Sequence, residues 1–169
     1  KANKLDKLDI DLLLVGYAGA GPYPQCFVFD NEDEKVKAAK AKEQQFLKQA
    51  VEYISLVTPS HFAPFAGTYT LGSRLAKLTN YRGVPSVSYA TEYLNEAVKG
   101  ASKGIHLEQF DTFDCMSGVI TKSGMAFDLS REQYVEKISK EALDYDNDNW
   151  NDEELVDLIV QAHRRFKSK

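Results

Sequence analysis

The stretch Asp9-Ile10-Asp11-Leu12-Leu13-Leu14-Val15-Gly16 is a short apolar run that ends at a glycine. A run of this kind, with little polar alternation, is typical of a strand buried on both faces of an α/β sheet. The next segment, residues 16–29, contains three glycines and two prolines and cannot form a helix. We therefore expect a long ordered loop at the end of a buried strand, which is a usual position for a functional site.

A long helix and a second strand follow this loop. Asn31 or Asp33 is the expected N-cap, and the helix is predicted to run to about Ser55. Its predicted buried stripe consists of Val36, Ala39, Phe46, Ala50, Tyr53 and Ile54. Residues 61–65 are predicted to form the second buried strand, and Ala66-Gly67-Thr68-Tyr69 the turn after it. In such a βαβ unit both glycine turns lie at one end of a parallel sheet, so residues 16–23 and 65–69 should approach a shared cleft.

The remaining elements are shorter. Helices are predicted over residues 73–79, 86–99, 130–143 and 152–166. Strands are predicted over residues 105–110, 113–121 and 125–128, the last two around a Lys122-Ser123-Gly124 turn. The alternation of strands and helices predicts an α/β fold.

Composition excludes several classes of protein. The 169 residues are 43% hydrophobic with a net charge of -4, so we expect a real core and no nucleic-acid surface. No apolar run is long enough to cross a bilayer, and no membrane partner is expected. Cys26 and Cys115 lack metal-site spacing and suit a reducing, cytoplasmic setting.

Three motifs resemble segments of metallo-β-lactamase-fold hydrolases. They are Val15-Gly16-Tyr17-Ala18-Gly19-Ala20-Gly21-Pro22-Tyr23-Pro24-Gln25-Cys26-Phe27, Pro64-Phe65-Ala66-Gly67 and Phe127-Asp128-Leu129. The similarity is closest to a subgroup that includes the CMP-N-acetylneuraminate hydroxylases. The resemblance implies that residues 1–169 form the C-terminal half of an αββα metallo-β-lactamase-like sandwich, without the N-terminal half that carries the metal motif.

The resemblance also implies a function, which is metal-dependent hydrolysis by the parent protein. The divalent metal, expected to be zinc, would be bound mainly outside this chain, by the N-terminal half of the same protein. The HxHxDH motif is absent, and the histidines His61, His106 and His163 have no ligand spacing. We therefore expect no metal ligands here, a small-molecule substrate, and no hydrolysis by this chain alone.

The two glycine turns supply the predicted substrate-binding residues. These are Tyr17, Gly19, Gly21, Tyr23, Phe65, Gly67 and Tyr69. Glycines allow close backbone approach and tyrosine hydroxyls can bind a polar substrate or donate a proton. The alternative for each residue is a packing role at an interface.

Other candidate sites have weaker patterns. His61 could be a metal ligand and Cys26 a nucleophile, but neither has a partner residue nearby in the sequence. Asp111 and Asp114 lie between predicted strands and could reach a site. Residues 144–152 begin like a calcium loop, but Asn149 and Leu155 replace the required glycine and glutamate.

Two further functions stay open on the sequence. One is a sugar-nucleotide oxygenase related to the sialic acid hydroxylases. The other is a non-catalytic binding or scaffold domain, suggested by the absence of histidine from the turn at Pro64-Phe65-Ala66-Gly67.

Overall fold

A computed structural model describes residues 9–125, 129–143 and 152–167, with side chains of the last segment from residue 154. The strands are β1 (Leu12–Gly16), β2 (His61–Phe65), β3 (Lys103–Gly104), β4 (Thr112–Asp114) and β5 (Val119–Thr121). The helices are α1 (Glu32–Val57), α2 (Val87–Ala97), α3 (Arg131–Ser139) and α4 (Asp152–Lys167), with a 3₁₀ helix at Ser73–Tyr81. The predicted α/β class is confirmed.

The centre of the fold is a three-stranded parallel sheet in the order β1-β2-β3. Helix α1 connects β1 to β2 and helix α2 precedes β3, as parallel pairing requires. Both helices pack on the same core, which is an apolar cluster beneath one face of the sheet. Its fully buried members are Val15, Tyr17, Leu47, Ala50, Ile54, Phe62, Ala90 and Leu94.

Local signals in the sequence set the limits of α1. The Asn31 side chain accepts a hydrogen bond from the Glu34 amide at 2.9 Å, as an N-cap does. Thr58 adopts a left-handed conformation and Pro59 follows it, which ends the helix. The predicted buried stripe is wrong at Val36 and Tyr53, which are exposed, because the helix turns Leu47 and the stem of Lys42 inward instead.

The prediction that β1 is buried on both faces is wrong. Side chains alternate along a strand, so Val15 enters the core while Leu14 faces the other way and is 52% exposed. Phe65 of β2 is 56% exposed. We call the face on which Leu14 and Phe65 are exposed the open face; the core with α1 and α2 lies on the opposite side. His61 and Ala63 share the open face, where Phe113 of β4 packs on His61 and Ala63 is only 3% exposed, so the exposure is confined to its Leu14 and Phe65 positions.

The predicted strand over residues 105–110 is also wrong. Pairing stops when the Ile105 amide donates to the Phe62 carbonyl at 2.8 Å. The Asp111 carboxylate then accepts a hydrogen bond from the Glu108 amide at 2.9 Å, and Phe110 has a φ of 67°. A turn closed by an aspartate side chain competes with an extended strand, and here the turn forms.

Residues 113–121 form a hairpin instead of the predicted single strand. The Asp114 carboxylate accepts hydrogen bonds from the amides of Met116 and Ser117, and Gly118 has a φ of 69°. These two features reverse the chain between β4 and β5, which pair antiparallel. The predicted turn at Lys122 therefore lies after the hairpin, and the predicted strand over residues 125–128 falls mostly outside the described residues.

Candidate functional site

The two glycine turns meet at the end of β1 and β2. A side chain at Gly67 would place its Cβ 2.0 Å from Cζ of Tyr17, so the tyrosine ring lies directly against the Gly67 backbone. The Tyr17 hydroxyl is 3.3 Å from Oγ1 of Thr68. The expected approach of residues 16–23 to residues 65–69 is therefore observed, as a direct contact of Tyr17 with Gly67 and Thr68.

Tyr17 forms the floor of this region. Its side chain has no exposed surface, and burial raises the pKa of its hydroxyl above the ordinary value of 10.0 in spite of the Thr68 hydrogen bond and the nearby Arg82 charge. The hydroxyl therefore stays protonated at neutral pH. A direct contact between Tyr17 and a substrate stays a prediction, and its visible role is to hold the two turns together.

A buried polar network orders the first loop. The Tyr69 hydroxyl donates to Oε1 of Gln25 at 2.8 Å, and Nε2 of Gln25 donates to the Gly21 carbonyl at 3.2 Å. Lys42 of α1 donates to the Tyr23 carbonyl at 2.8 Å, and burial lowers the pKa of its amine. These bonds fix a loop that has no regular structure of its own.

The other predicted site residues lie farther out. Tyr23 is exposed and packs edge-on against Phe27 at 5.4 Å, and Gly21 is exposed. Gly19 packs on the Phe46 ring, which its Cβ would approach to 2.3 Å. The ring contacts of Tyr23 are with Phe27 and Phe29, and Phe65 is 56% exposed, so the substrate role of both residues stays a prediction.

Two arginines that the sequence did not single out converge on Tyr69. Arg82 and Arg131 both donate to the Tyr69 carbonyl oxygen, Arg131 at 2.7 Å. The Arg82 guanidinium also lies 5.4 Å from the centre of the Tyr69 ring. Burial and the neighbouring Arg131 charge lower the pKa of Arg82. No periodicity in the sequence marks these residues, because they are 49 positions apart and meet only through the packing of α3 on the 3₁₀ helix.

A groove of about 810 Å³ opens beside this arginine pair. Thr68 and Arg131 belong both to the turn region and to the groove wall. The rest of the wall comes from residues 106–109, the start of α2 and one face of α3. It consists of Val87, His106, Leu107, Glu108, Gln109, Leu129, Ser130, Tyr134 and Lys137. Its volume is in the range of small-molecule pockets, and its lining mixes apolar and charged groups.

A metal does not fit the described residues. Among them, no group of three or more histidine, cysteine, aspartate or glutamate side chains is close enough to hold an ion. His61 is a lone histidine whose buried Nδ1 has no hydrogen-bond partner and whose ring packs edge-on against Phe113. Cys26 and Cys115 are exposed and unpaired with each other. The candidate calcium loop lies almost wholly outside the described residues.

Asp111 and Asp114 have structural roles. Asp111 accepts from Lys122 at 2.7 Å and from the Ser123 and Glu108 amides, which lowers its pKa from 3.8 to about 2. Asp114 closes the β4–β5 turn, and its pKa is lowered by the Ser117 and Met116 amides. Neither residue lines the groove.

The low pKa of Asp111 predicts an acid-sensitive contribution to stability. Because the folded pKa lies below the unfolded one, the ionised carboxylate stabilises the protein above about pH 4, and this contribution is lost as pH falls towards about 2. Urea unfolding of Asp111→Asn should therefore depend less on pH between these values than that of the native protein. Asp30→Asn, a change at an exposed carboxylate, is the control; an equal loss of pH dependence in both variants would contradict the assignment.

Comparison of the chain with protein-family models, with curated proteins and with solved structures finds no match. The resemblance to metallo-β-lactamase-fold hydrolases therefore stays a prediction from the three motifs. Within the described residues, no helix is both long and apolar enough to cross a membrane.

Proposed function

We propose that this chain is the substrate-binding half of a metal-dependent hydrolase domain with a metallo-β-lactamase-like αββα architecture. The N-terminal half of the same protein would pack on the open face and supply the divalent metal, expected to be zinc. The observation that carries the proposal is the junction of the two glycine turns, where Tyr17 contacts Gly67 beside a groove of small-molecule size. Parallel-sheet proteins commonly bind ligands at such a strand end.

The open face supports a second layer. Parallel sheets occur almost only with both faces covered, whereas here the helices of the core cover one. Leu14 and Phe65 leave about half of their surface exposed on the other. Within the described residues β1 lies at one edge of the sheet, so its outer backbone groups can pair with a further strand.

The residues of this chain have a limited share in the proposed chemistry. The described part offers no fitting set of metal ligands, so no catalytic step is assigned through a metal here. Arg131 is placed by the Tyr69 carbonyl at the groove wall, and Thr68 is placed by Tyr17. Their proposed role is to bind and orient the substrate while the other half performs hydrolysis.

Metal content and turnover test this function. The full-length protein is expected to bind a divalent metal and to hydrolyse a phosphodiester, lactone or amide, whereas the 169-residue chain alone should do neither. Full-length protein that is folded, free of metal under metal-replete conditions and inactive on all three substrate classes would contradict the proposal.

A pair of leucine variants tests the second layer. Leu14 on the open face and Leu56 on α1 are 52% and 55% exposed, so Leu14→Gln and Leu56→Gln remove similar side chains from similar environments. In the full-length protein, Leu14→Gln should lower the free energy of unfolding by about 2–4 kcal/mol, because the glutamine amide would be buried without a partner. Leu56→Gln should cost under about 1 kcal/mol.

The 169-residue chain provides the control for this pair. Without a second layer both variants should have similar, small effects in urea unfolding. If Leu14→Gln is as mild as Leu56→Gln in the full-length protein too, the open face is not covered there.

A binding function without turnover is the second candidate. The lining of the groove favours this candidate. Its described residues include neither a cysteine nor a serine–histidine pair joined by a hydrogen bond, so they offer no activated nucleophile. Tight binding of a small molecule by full-length protein that hydrolyses nothing would support this candidate over the hydrolase. The sugar-nucleotide oxygenase remains an alternative prediction from the resemblance alone.

A further inference from the structure

We propose that the groove beside Arg131 binds a small organic oxyanion, a phosphate ester or a carboxylate carried on an apolar body. This inference rests on the proposed function in one respect, since it names the substrate class of the same site. The argument depends on the charges that converge there and on the apolar surface between them.

Two cationic groups, Arg131 and Lys137, lie on one face of α3 with the Tyr134 ring between them. Arg131, Tyr134 and Lys137 recur every third residue, so they share the side of the helix that lines the groove. His106 faces them from the segment after β3. Arg131 and Lys137 carry two positive charges in the described lining and Glu108 one negative charge, so its formal charge is +1 whereas the whole chain has a net charge of -4.

Arg131 of the groove wall also has a second arginine beside it, Arg82, which lies outside the described lining. Arg82 and Arg131 place two guanidinium groups on one carbonyl oxygen, and their charges repel each other. Among the described residues, neither arginine nor Lys137 forms an ion pair, although Glu132 lies near Arg131 and accepts from Ser130. A carboxylate or phosphate in the groove would relieve this repulsion and accept bidentate hydrogen bonds from Arg131.

The apolar part of the lining sets the body of the ligand. Val87, Leu107 and Leu129 line the groove together with the partly exposed ring of Tyr134. An inorganic ion would leave these side chains against water. A ligand that combines an oxyanion with an aromatic or aliphatic group would cover them and gain hydrophobic stabilisation.

Three probes of similar shape separate charge from apolar contact. Phenyl phosphate, benzoate and benzyl alcohol are titrated into the 169-residue chain, with binding followed by calorimetry and by chemical shifts of Leu107 and Leu129. At least one anion should bind about tenfold more tightly than the alcohol at low salt, and lose affinity in about 0.5 M sodium chloride. The better anion identifies the source as phosphate or carboxylate. Equal binding of all three probes, or binding of none, would overturn the proposal.

Charge variants locate the site. Arg131→Gln should weaken binding of the better anion about tenfold, and Lys137→Gln about threefold. The control is Lys140→Gln at the C-cap of α3, because Lys140 pairs with Glu136 at 2.7 Å and does not line the groove. Arg131 also donates to the Tyr69 carbonyl, so Lys137→Gln serves as the second variant, which leaves that hydrogen bond in place.

Removing the opposing charge should strengthen binding. Glu108→Gln is expected to tighten binding of the same anion about threefold, a gain that misfolding cannot produce. Unchanged or weaker binding by Glu108→Gln, together with native-like binding by Lys137→Gln, would show that the groove does not hold the anion. Because binding is measured without metal or turnover, failure of the hydrolase proposal would leave this result intact, and failure here would leave hydrolysis to be judged by its own test.

Discussion

Replacing Gly67 with alanine is expected to lower the free energy of unfolding by about 3 kcal/mol or more. The new Cβ would lie 2.0 Å from Cζ and 2.3 Å from Cε1 of Tyr17, well inside van der Waals contact. The Tyr17 ring has no exposed surface and is packed in the core, so it cannot rotate away without opening the sheet end. Urea unfolding followed by circular dichroism measures the loss.

Two comparisons isolate the contact between these residues. Gly21→Ala is the control, because nothing lies within 4 Å of the Cβ position at Gly21, and we expect a change of under about 0.5 kcal/mol. In a Tyr17→Ala background, Gly67→Ala should cost under about 1 kcal/mol, since the ring that it strikes is gone. If Gly67→Ala is equally costly in both backgrounds, the two turns do not meet as described.

Replacing Phe62 with alanine is expected to have an effect of about 3–5 kcal/mol on the free energy of unfolding. Phe62 lies on the central strand β2, is fully buried and belongs to the core cluster beneath the sheet. Its removal takes away apolar contact and leaves a cavity that neighbouring backbone cannot fill. A loss of this size is a large fraction of the total free energy of unfolding of a typical domain.

Phe65 on the same strand is the matched control. It is the same residue type three positions later, but it lies on the open face and is 56% exposed. In the 169-residue chain, Phe65→Ala should change the free energy of unfolding by under about 1 kcal/mol. Comparable losses from the two variants in this chain would mean that its sheet is covered on both faces.

Phe65→Ala also tests whether a second layer covers the open face in the full-length protein. If a second layer covers the open face in the full-length protein, Phe65→Ala should there approach the cost of Phe62→Ala. An unchanged, small cost in the full-length protein would contradict the second layer independently of the Leu14 and Leu56 variants.

The sequence could predict elements whose signals are local. Asn31, the acidic first turn and Pro59 give the limits of α1, and the capping box of Ser130 and Gln133 gives the start of α3. The order of strand, helix and strand predicted a parallel pair with both turns at one end, because a crossover connection allows little else. These features depend on residues close together in the chain.

Local competition decided the elements that the sequence placed wrongly. The apolar and polar alternation over residues 105–110 is compatible with a strand, but Asp111 captures the Glu108 amide and forms a turn. Asp114 and Gly118 likewise reverse the chain inside a segment predicted as one strand. Pattern alone does not tell whether an aspartate side chain will take a backbone amide from the sheet.

By itself the sequence determined the α/β class, the long capped helix and the two glycine turns, since each follows from chain periodicity, capping and backbone freedom. Only the tertiary structure decided that one sheet face is exposed at Leu14 and Phe65, that Tyr17 packs on Gly67, and that Arg82 and Arg131 share a carbonyl oxygen. The physical reason is that exposure and charge convergence depend on which distant segments pack together, and no single segment encodes that packing.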